Sequence, residues 1–150
     1  MNAELDIDAR AKLAIYRHFA DSGRAPTPQD MARAIGCDEH DVVAAYARLR
    51  AQRVLALEKD GRSIRMAPPF SGIPTEHEVL VDGMRSFANC AWDSLGILAA
   101  LQRPGDVRSR CGQSQEPLHL HVERDGPEQC DWLFHCLVPA AKWWDDIVFT

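Results

Sequence analysis

No run of 18 or more uncharged apolar residues occurs among the 150 residues, so nothing in the sequence reads as a membrane-spanning helix. The N-terminus lacks the basic-then-apolar order of a secretory leader and carries Glu4, Asp6 and Asp8 instead. A basic excess is lacking as well: 17 Lys and Arg stand against 22 Asp and Glu, a formal net charge of −5. The imbalance is uneven, since residues 1–70 hold 11 basic and 10 acidic side chains whereas residues 71–150 hold 6 and 12. Neither half has the positive field that phosphates require, which argues against nucleic acid as a partner. Paired C-x-x-C spacing is absent. The five cysteines are odd in number and irregularly placed, which disfavours both a disulfide framework and a structural zinc site. The expectation is a cytoplasmic protein, without a membrane partner, whose thiols are reactive or metal-binding. There is no internal repeat or low-complexity tract.

What is present reads as α+β. Leu13, Tyr16 and Ala20 recur at helical spacing over 8–21, and Asp21-Ser22-Gly23 stops the helix. Thr27 as N-cap, Pro28 and Asp30 open a second helix over 28–35, which Gly36 ends. Asp38 can cap a third, running to Gln52 with Val42, Tyr46 and Leu49 as its apolar stripe. Strand-like runs at 54–58 and 63–66 flank Asp60-Gly61, a hairpin pair. Three helices and a hairpin make a winged-helix-like module over 1–67. Its third helix leads with Asp38, Glu39 and Asp41, which would repel phosphates, so a structural or lid use is expected over DNA binding. The breaker-rich stretch 68–75 reads as a linker, and 76–150 as a second, mixed helix and antiparallel-sheet domain. Within it, 77–81 reads as a strand, Asp82-Gly83 as a turn, 84–101 as a helix, and 106–110 and 118–123 as strands, with 132–138 and 147–150 as two further candidates. The chain reaches Thr150 inside a strand-like run, so the sequence reads as a shortened gene product.

Chemistry concentrates at Cys90 and Asp93. On a helix over 84–101, positions three apart share a face, so thiol and acid are expected to point the same way. Cys90 alone reads first as a small buried hydrophobe, as most free cysteines are. Asp93 alone reads as a surface acid. On an apolar inner face, however, an uncompensated carboxylate costs roughly 2 kcal/mol or more unless it is paired or protonated, and an acid with a raised pKa can deliver a proton. Cys111 either faces the same cleft or packs at the end of its strand, with Arg108 and Arg110 nearby to lower a thiol pKa or to sit exposed. His119 and His121 share one strand face, which reads as solvated before it reads as a metal clamp. Trp143-Trp144-Asp145-Asp146 reads either as a plug at the edge of the core or as a wall over a ligand.

The segment Phe87-Ala88-Asn89-Cys90-Ala91-Trp92-Asp93-Ser94-Leu95-Gly96 resembles the catalytic helix segment of the alkylmercury lyases, the bacterial organomercurial lyases. The Cys111-Gly112 strand end, the 118–122 strand, the 143–150 segment and a preceding winged-helix-like module look like that family in the same order. The resemblance implies that Cys90 binds the mercury of R-Hg⁺ as a thiolate and that Asp93 first helps deprotonate the thiol and then protonates the leaving carbon. It makes Cys90 and Asp93 the mercury contacts, with Cys111 a further candidate, although the family's cysteine there is structural. It implies no organic cofactor, Hg²⁺ as bound product, cellular thiols as carriers and a mercuric reductase as recipient. One departure stands out. The family's second mercury-binding cysteine belongs where this chain ends, at Thr150, so the second thiolate is expected to be missing unless Cys111, Cys130 or Cys136 substitutes, and cleavage is expected to be impaired. The alternatives are a thiol-based, metal-responsive winged-helix regulator acting on DNA, or a mercury-binding protein without catalysis.

Overall fold

The computed structural model describes residues 6–148. Three helices come first: α1 (Ile7–Ser22), α2 (Pro28–Ile35) and α3 (Glu39–Ala51). Asp6 caps α1 by accepting the Ala9 N–H at 2.8 Å, and Gly23 closes it in the left-handed region at φ 69°. Thr27 and Asp30 form a reciprocal capping box on α2. Asp38 stands at the N-cap of α3 but makes no side-chain cap bond. The buried face of α1 is Ala11, Ile15 and Phe19 rather than the expected Leu13, Tyr16 and Ala20, and Leu13 is 44 % exposed. Both sets repeat at helical spacing, and only the packing of α1 against α2 and α3 chooses between them.

After α3 come β1 (Ala56–Leu57), β2 (Ile64–Ala67) and β3 (Phe70–Ser71), an antiparallel sheet in that order. Asp60 holds the β1–β2 connection by accepting from the N–H groups of Arg62 and Ser63 and from the Ser63 hydroxyl. The stretch 68–75 contains the cis Pro68–Pro69 bond and β3, and Phe70 bridges to Ala88. Phe70 also stacks on Phe19 at 5.1 Å between ring centroids and 16° between planes, which ties α1 to the chain leading into the second sheet.

That sheet is antiparallel throughout, in the order β5-β4-β6-β7-β8. Its strands are β4 (Glu78–Val81), β5 (Met84–Phe87), β6 (Gly105–Arg110), β7 (Pro117–Glu123) and β8 (Gly126–Pro127), with α4 (Ala91–Leu101) between β5 and β6. Asp82 and Gly83 both have positive φ, 47° and 80°, which matches the turn of a tight two-residue hairpin. Consequently 84–101 is not one helix. Its first four residues pair with β4 as a strand, with Met84 opposite Val81 and Phe87 opposite Glu78, and the helix begins only at Ala91. Ile97 and Leu98 of α4 lie buried in the same apolar cluster as Val79, Val81, Val107 and Val122. That cluster is continuous with Ile15, Phe19 and Tyr46 of the helices.

The expected strand at 132–138 does not form. Trp132, Leu133, Phe134 and Leu137 are exposed there, Leu133 at 94 %, and the chain runs without regular structure to a 3-10 turn at Ala140–Asp145. Apolar content alone suggested a strand, but no partner edge meets it. Of the expected strand at 147–150, Ile147 and Val148 lie in a turn and residues 149 and 150 fall outside the described residues. No helix among the described residues is long and apolar enough to cross a membrane.

Candidate functional site at the start of helix α4

Cys90 is the N-cap of α4, in extended backbone at φ −152°, and its Sγ accepts the N–H of Asp93 at 3.4 Å. Cys-Ala-Trp-Asp thus occupies the positions of a capping motif with sulfur where an oxygen usually stands. The two residues are neighbours because one caps the helix that the other begins. They are not two points on one helix face. Ser94, fully buried, fixes the Cys90 backbone further by donating its hydroxyl to the Cys90 carbonyl at 3.2 Å.

Asp93 reaches back past the thiol. Its Oδ2 accepts from the side-chain nitrogen of Asn89 at 2.9 Å, and the same nitrogen lies 3.3 Å from the carbonyl oxygens of both Pro69 and Phe70. Tyr16 comes in from α1, donating its hydroxyl to the Pro68 carbonyl at 3.0 Å. Neither Asn89 nor Tyr16 announced itself in the sequence. Asn89 stood beside the thiol without an assigned role, and Tyr16 looked like one more residue of an apolar stripe.

The electrostatics suit proton transfer. Burial pushes the Asp93 carboxyl above the usual carboxylate range, opposed by the Asn89 hydrogen bond. Burial also pushes the Cys90 thiol up, opposed by N–H groups from Asp93 and Trp92 at the helix N-terminus, while the charge of Asp93 adds to the rise. Tyr16 is raised by burial and then by the same Asp93 charge, so its phenol stays protonated. Half-buried His77, which bonds Ser109 Oγ at 2.8 Å through Nδ1, is lowered by burial.

Cys111 lies at the same end of the sheet, because Phe87 pairs with Glu78 and Glu78 with Arg108. That register puts two strand spacings, roughly 10 Å, between the strand of Cys90 and the strand of Cys111. Neither a hydrogen bond nor a charge effect links the two thiols. Cys111 Sγ instead accepts from Ser114 N at 3.5 Å, and its thiol is lowered by Ser114. Cys136 is the other cysteine whose charge bears on Cys90. Phe134, two residues before it, meets Trp92, two residues after Cys90, at 5.7 Å between ring centroids. Cys130 is exposed. His119 and His121 are taken up by Asp106, at 3.0 and 3.1 Å, with Glu123 also on His121. Trp143 donates its indole N–H to the Val138 carbonyl at 2.7 Å, so it braces the 138–143 turn. Among the described residues no three His, Cys, Asp or Glu side chains converge as a group able to hold a metal ion.

The alkylmercury lyase family model matches residues 70–150, which include Asn89, Cys90 and Asp93 but not Tyr16, Pro68 or Pro69. The chain belongs to the alkylmercury lyase family. Alkylmercury lyases of Bacillus cereus and Clostridium butyricum are each 31 % identical over 103 residues, 69 % of this chain and 45 % of theirs. The chain therefore spans less than half the length of these relatives. The alkylmercury lyase of Streptomyces lividans is 42 % identical over 52 residues, 35 % of this chain and 24 % of its own. The crystal structure of the mercury-bound form of MerB2 shares the fold, at a TM-score of 0.63 and 23 % identity, covering 84 % of this chain and 61 % of that one.

Proposed function

We propose that this member of the alkylmercury lyase family cleaves carbon–mercury bonds by protonolysis, with Cys90 as the mercury ligand and Asp93 as the proton carrier. The observation that carries the reading is the half-buried thiol and half-buried acid held together at the N-terminus of α4. Burial raises the Asp93 carboxyl, which makes its carboxylate a stronger base than a free one, so it can take a proton from the thiol and hold it until carbon accepts it. Asp93, as carboxylate, takes the proton from the Cys90 thiol while sulfur bonds to the mercury of R-Hg⁺. When the carbon–mercury bond breaks, its electron pair goes to carbon, and the proton on Asp93 follows it to give the hydrocarbon. Mercury stays on sulfur. Mercury is soft, and a second thiolate adds the electron density that loosens the bond to carbon. Within this chain Cys136 is better placed for that than Cys111, since Phe134, two residues before it, packs against Trp92, two residues after Cys90. A small thiol from the cell serves equally. Hg²⁺ then leaves on cellular thiols, with a mercuric reductase as recipient and the cytoplasm as location.

The helical module over 1–67 reads as winged-helix-like and as a support for the site, since Tyr16 braces the turn beneath Asn89. The test is hydrocarbon release from methylmercury by the parent chain and by Asp93→Asn, alongside Hg²⁺ binding. Loss of methane with binding intact supports the reading, and equal release by both proteins overturns it. Salt-sensitive binding to DNA would instead favour a regulator.

A further inference from the structure

Asn89 makes more contacts than a spacer before the thiol needs. Its amide nitrogen carries two protons and faces three acceptors: Asp93 Oδ2, the Pro69 carbonyl and the Phe70 carbonyl. The two carbonyls fix which end of the amide is nitrogen, because the reversed group would press oxygen against both. Its own Oδ1 is buried without a partner. Buried polar atoms are almost always satisfied, so a side chain kept only to join this turn to α4 would not leave one end orphaned. The base on which Asn89 stands is itself held in place. Tyr16 Oη donates to the Pro68 carbonyl, while Phe70 is stacked on Phe19 and bridged to Ala88.

We propose that Asn89 is a positioning residue for the acid: by occupying Oδ2 of Asp93 it fixes the plane of the carboxyl and leaves Oδ1 as the oxygen that takes the proton from Cys90 and passes it to carbon. The inference rests on the proton-carrier reading of Asp93. An oxygen that already accepts an N–H cannot carry a proton toward that donor without setting hydrogen against hydrogen, so the proton resides on the other oxygen. One proton is involved throughout. It leaves Sγ for Oδ1 as sulfur bonds to mercury, and leaves Oδ1 for carbon as the carbon–mercury pair moves to carbon. Without Asn89 the carboxyl turns freely, and a misaimed acid costs rate without costing mercury affinity.

Asn89→Ala and Asn89→Gln in the full chain test this, read by methane release from methylmercury and by Hg²⁺ binding. Asn89→Ala is expected to lower kcat at least tenfold while Hg²⁺ affinity changes less than threefold, and Asn89→Gln, which keeps the amide nitrogen, is expected to recover part of the rate. A merely structural role would move both quantities together. Asn2 and Asn89 are the only asparagines of the chain, so the Asn89 side-chain amide is readily assigned by NMR. It should be protected from solvent exchange and lose protection of one proton in Asp93→Ala. Parent kcat in Asn89→Ala, or amide protection unchanged in Asp93→Ala, overturns the proposal. If Asn89→Ala does not fold, Asn89→Gln and the amide measurement decide. If Asp93→Asn turns over like the parent, the proton-carrier reading falls. If Asp93→Asn is dead while Asn89→Ala is parent-like, only the role of Asn89 falls.

Discussion

The Sγ of Cys90 accepts the backbone N–H of Asp93 at 3.4 Å, so the sulfur that would meet mercury also caps the helix bearing the acid. Under the proposed function, structure and chemistry share one atom. The extended backbone at Cys90 turns its side chain across the helix end, and the first turn then brings the carboxyl of Asp93 beside it. Burial holds both groups toward their neutral forms.

Cys90→Ser should separate the two tasks of that atom. A hydroxyl caps a helix at least as well as a thiol, so the melting temperature should be unchanged or higher, while Hg²⁺ binding at this site is lost. Cys90→Ala should lose the cap as well, at a cost of up to about 1 kcal/mol. Thermal unfolding and mercury titration of the three proteins check this.

Asp93→Asn should be more stable than the parent at neutral pH. The folded carboxyl is raised by burial above its ordinary value. Its stability contribution is therefore fully present below that ordinary value and lost as pH rises through the raised one. Removing the charge should raise the melting temperature at pH 7. The difference should close below roughly pH 4, where the parent acid is neutral too. A variant that is less stable at pH 7 would contradict the burial argument.

His121 and Asp106 give the opposite pairing of signs. Asp106, hydrogen-bonded first to His121, is lowered, so its contribution is present above the ordinary carboxyl value and lost as pH falls through the lowered one. His121, hydrogen-bonded first to Asp106 and then to Glu123, is raised, so its contribution is present below the ordinary imidazole value and lost as pH rises through the raised one. The common window is roughly pH 4 to 6.5. His121→Gln should lower the melting temperature inside that window and converge with the parent on either side of it.

Phe19→Ala should destabilise the chain by about 3–5 kcal/mol, the range for deleting a buried aromatic ring. Phe19 is fully buried and stacked on Phe70, whose neighbouring carbonyls receive Asn89. Denaturant unfolding gives the loss. A cost below about 1 kcal/mol would mean that the helices and the second sheet do not share one core.

Local signals were legible where local chemistry decides the outcome. Thr27, Pro28 and Asp30 mark the start of α2, Gly23 and Gly36 end their helices, and Asp82-Gly83 turns β4 into β5. Residues 84–87 misled because Met84 and Phe87 satisfy a helical stripe as readily as a strand, and only pairing with β4 chooses. The 132–138 segment misled in the other direction, since its apolar residues met no open edge. Cys90 and Asp93 were legible as a pair, but for a different reason than the one that unites them.

By itself the sequence determined the helical half, the turn chemistry, the family and the nearness of thiol to acid, because each depends on residues a few positions apart. Tertiary structure alone decided that Cys90 ends a loop and caps a helix, and that Asn89 and Tyr16 belong to the site. Only folding sets Tyr16 of α1 and the carbonyls of Pro68, Pro69 and Phe70 beneath Asn89. Contacts across 19 to 52 positions of chain leave no periodic trace in sequence, since they arise from how apolar faces are buried against one another.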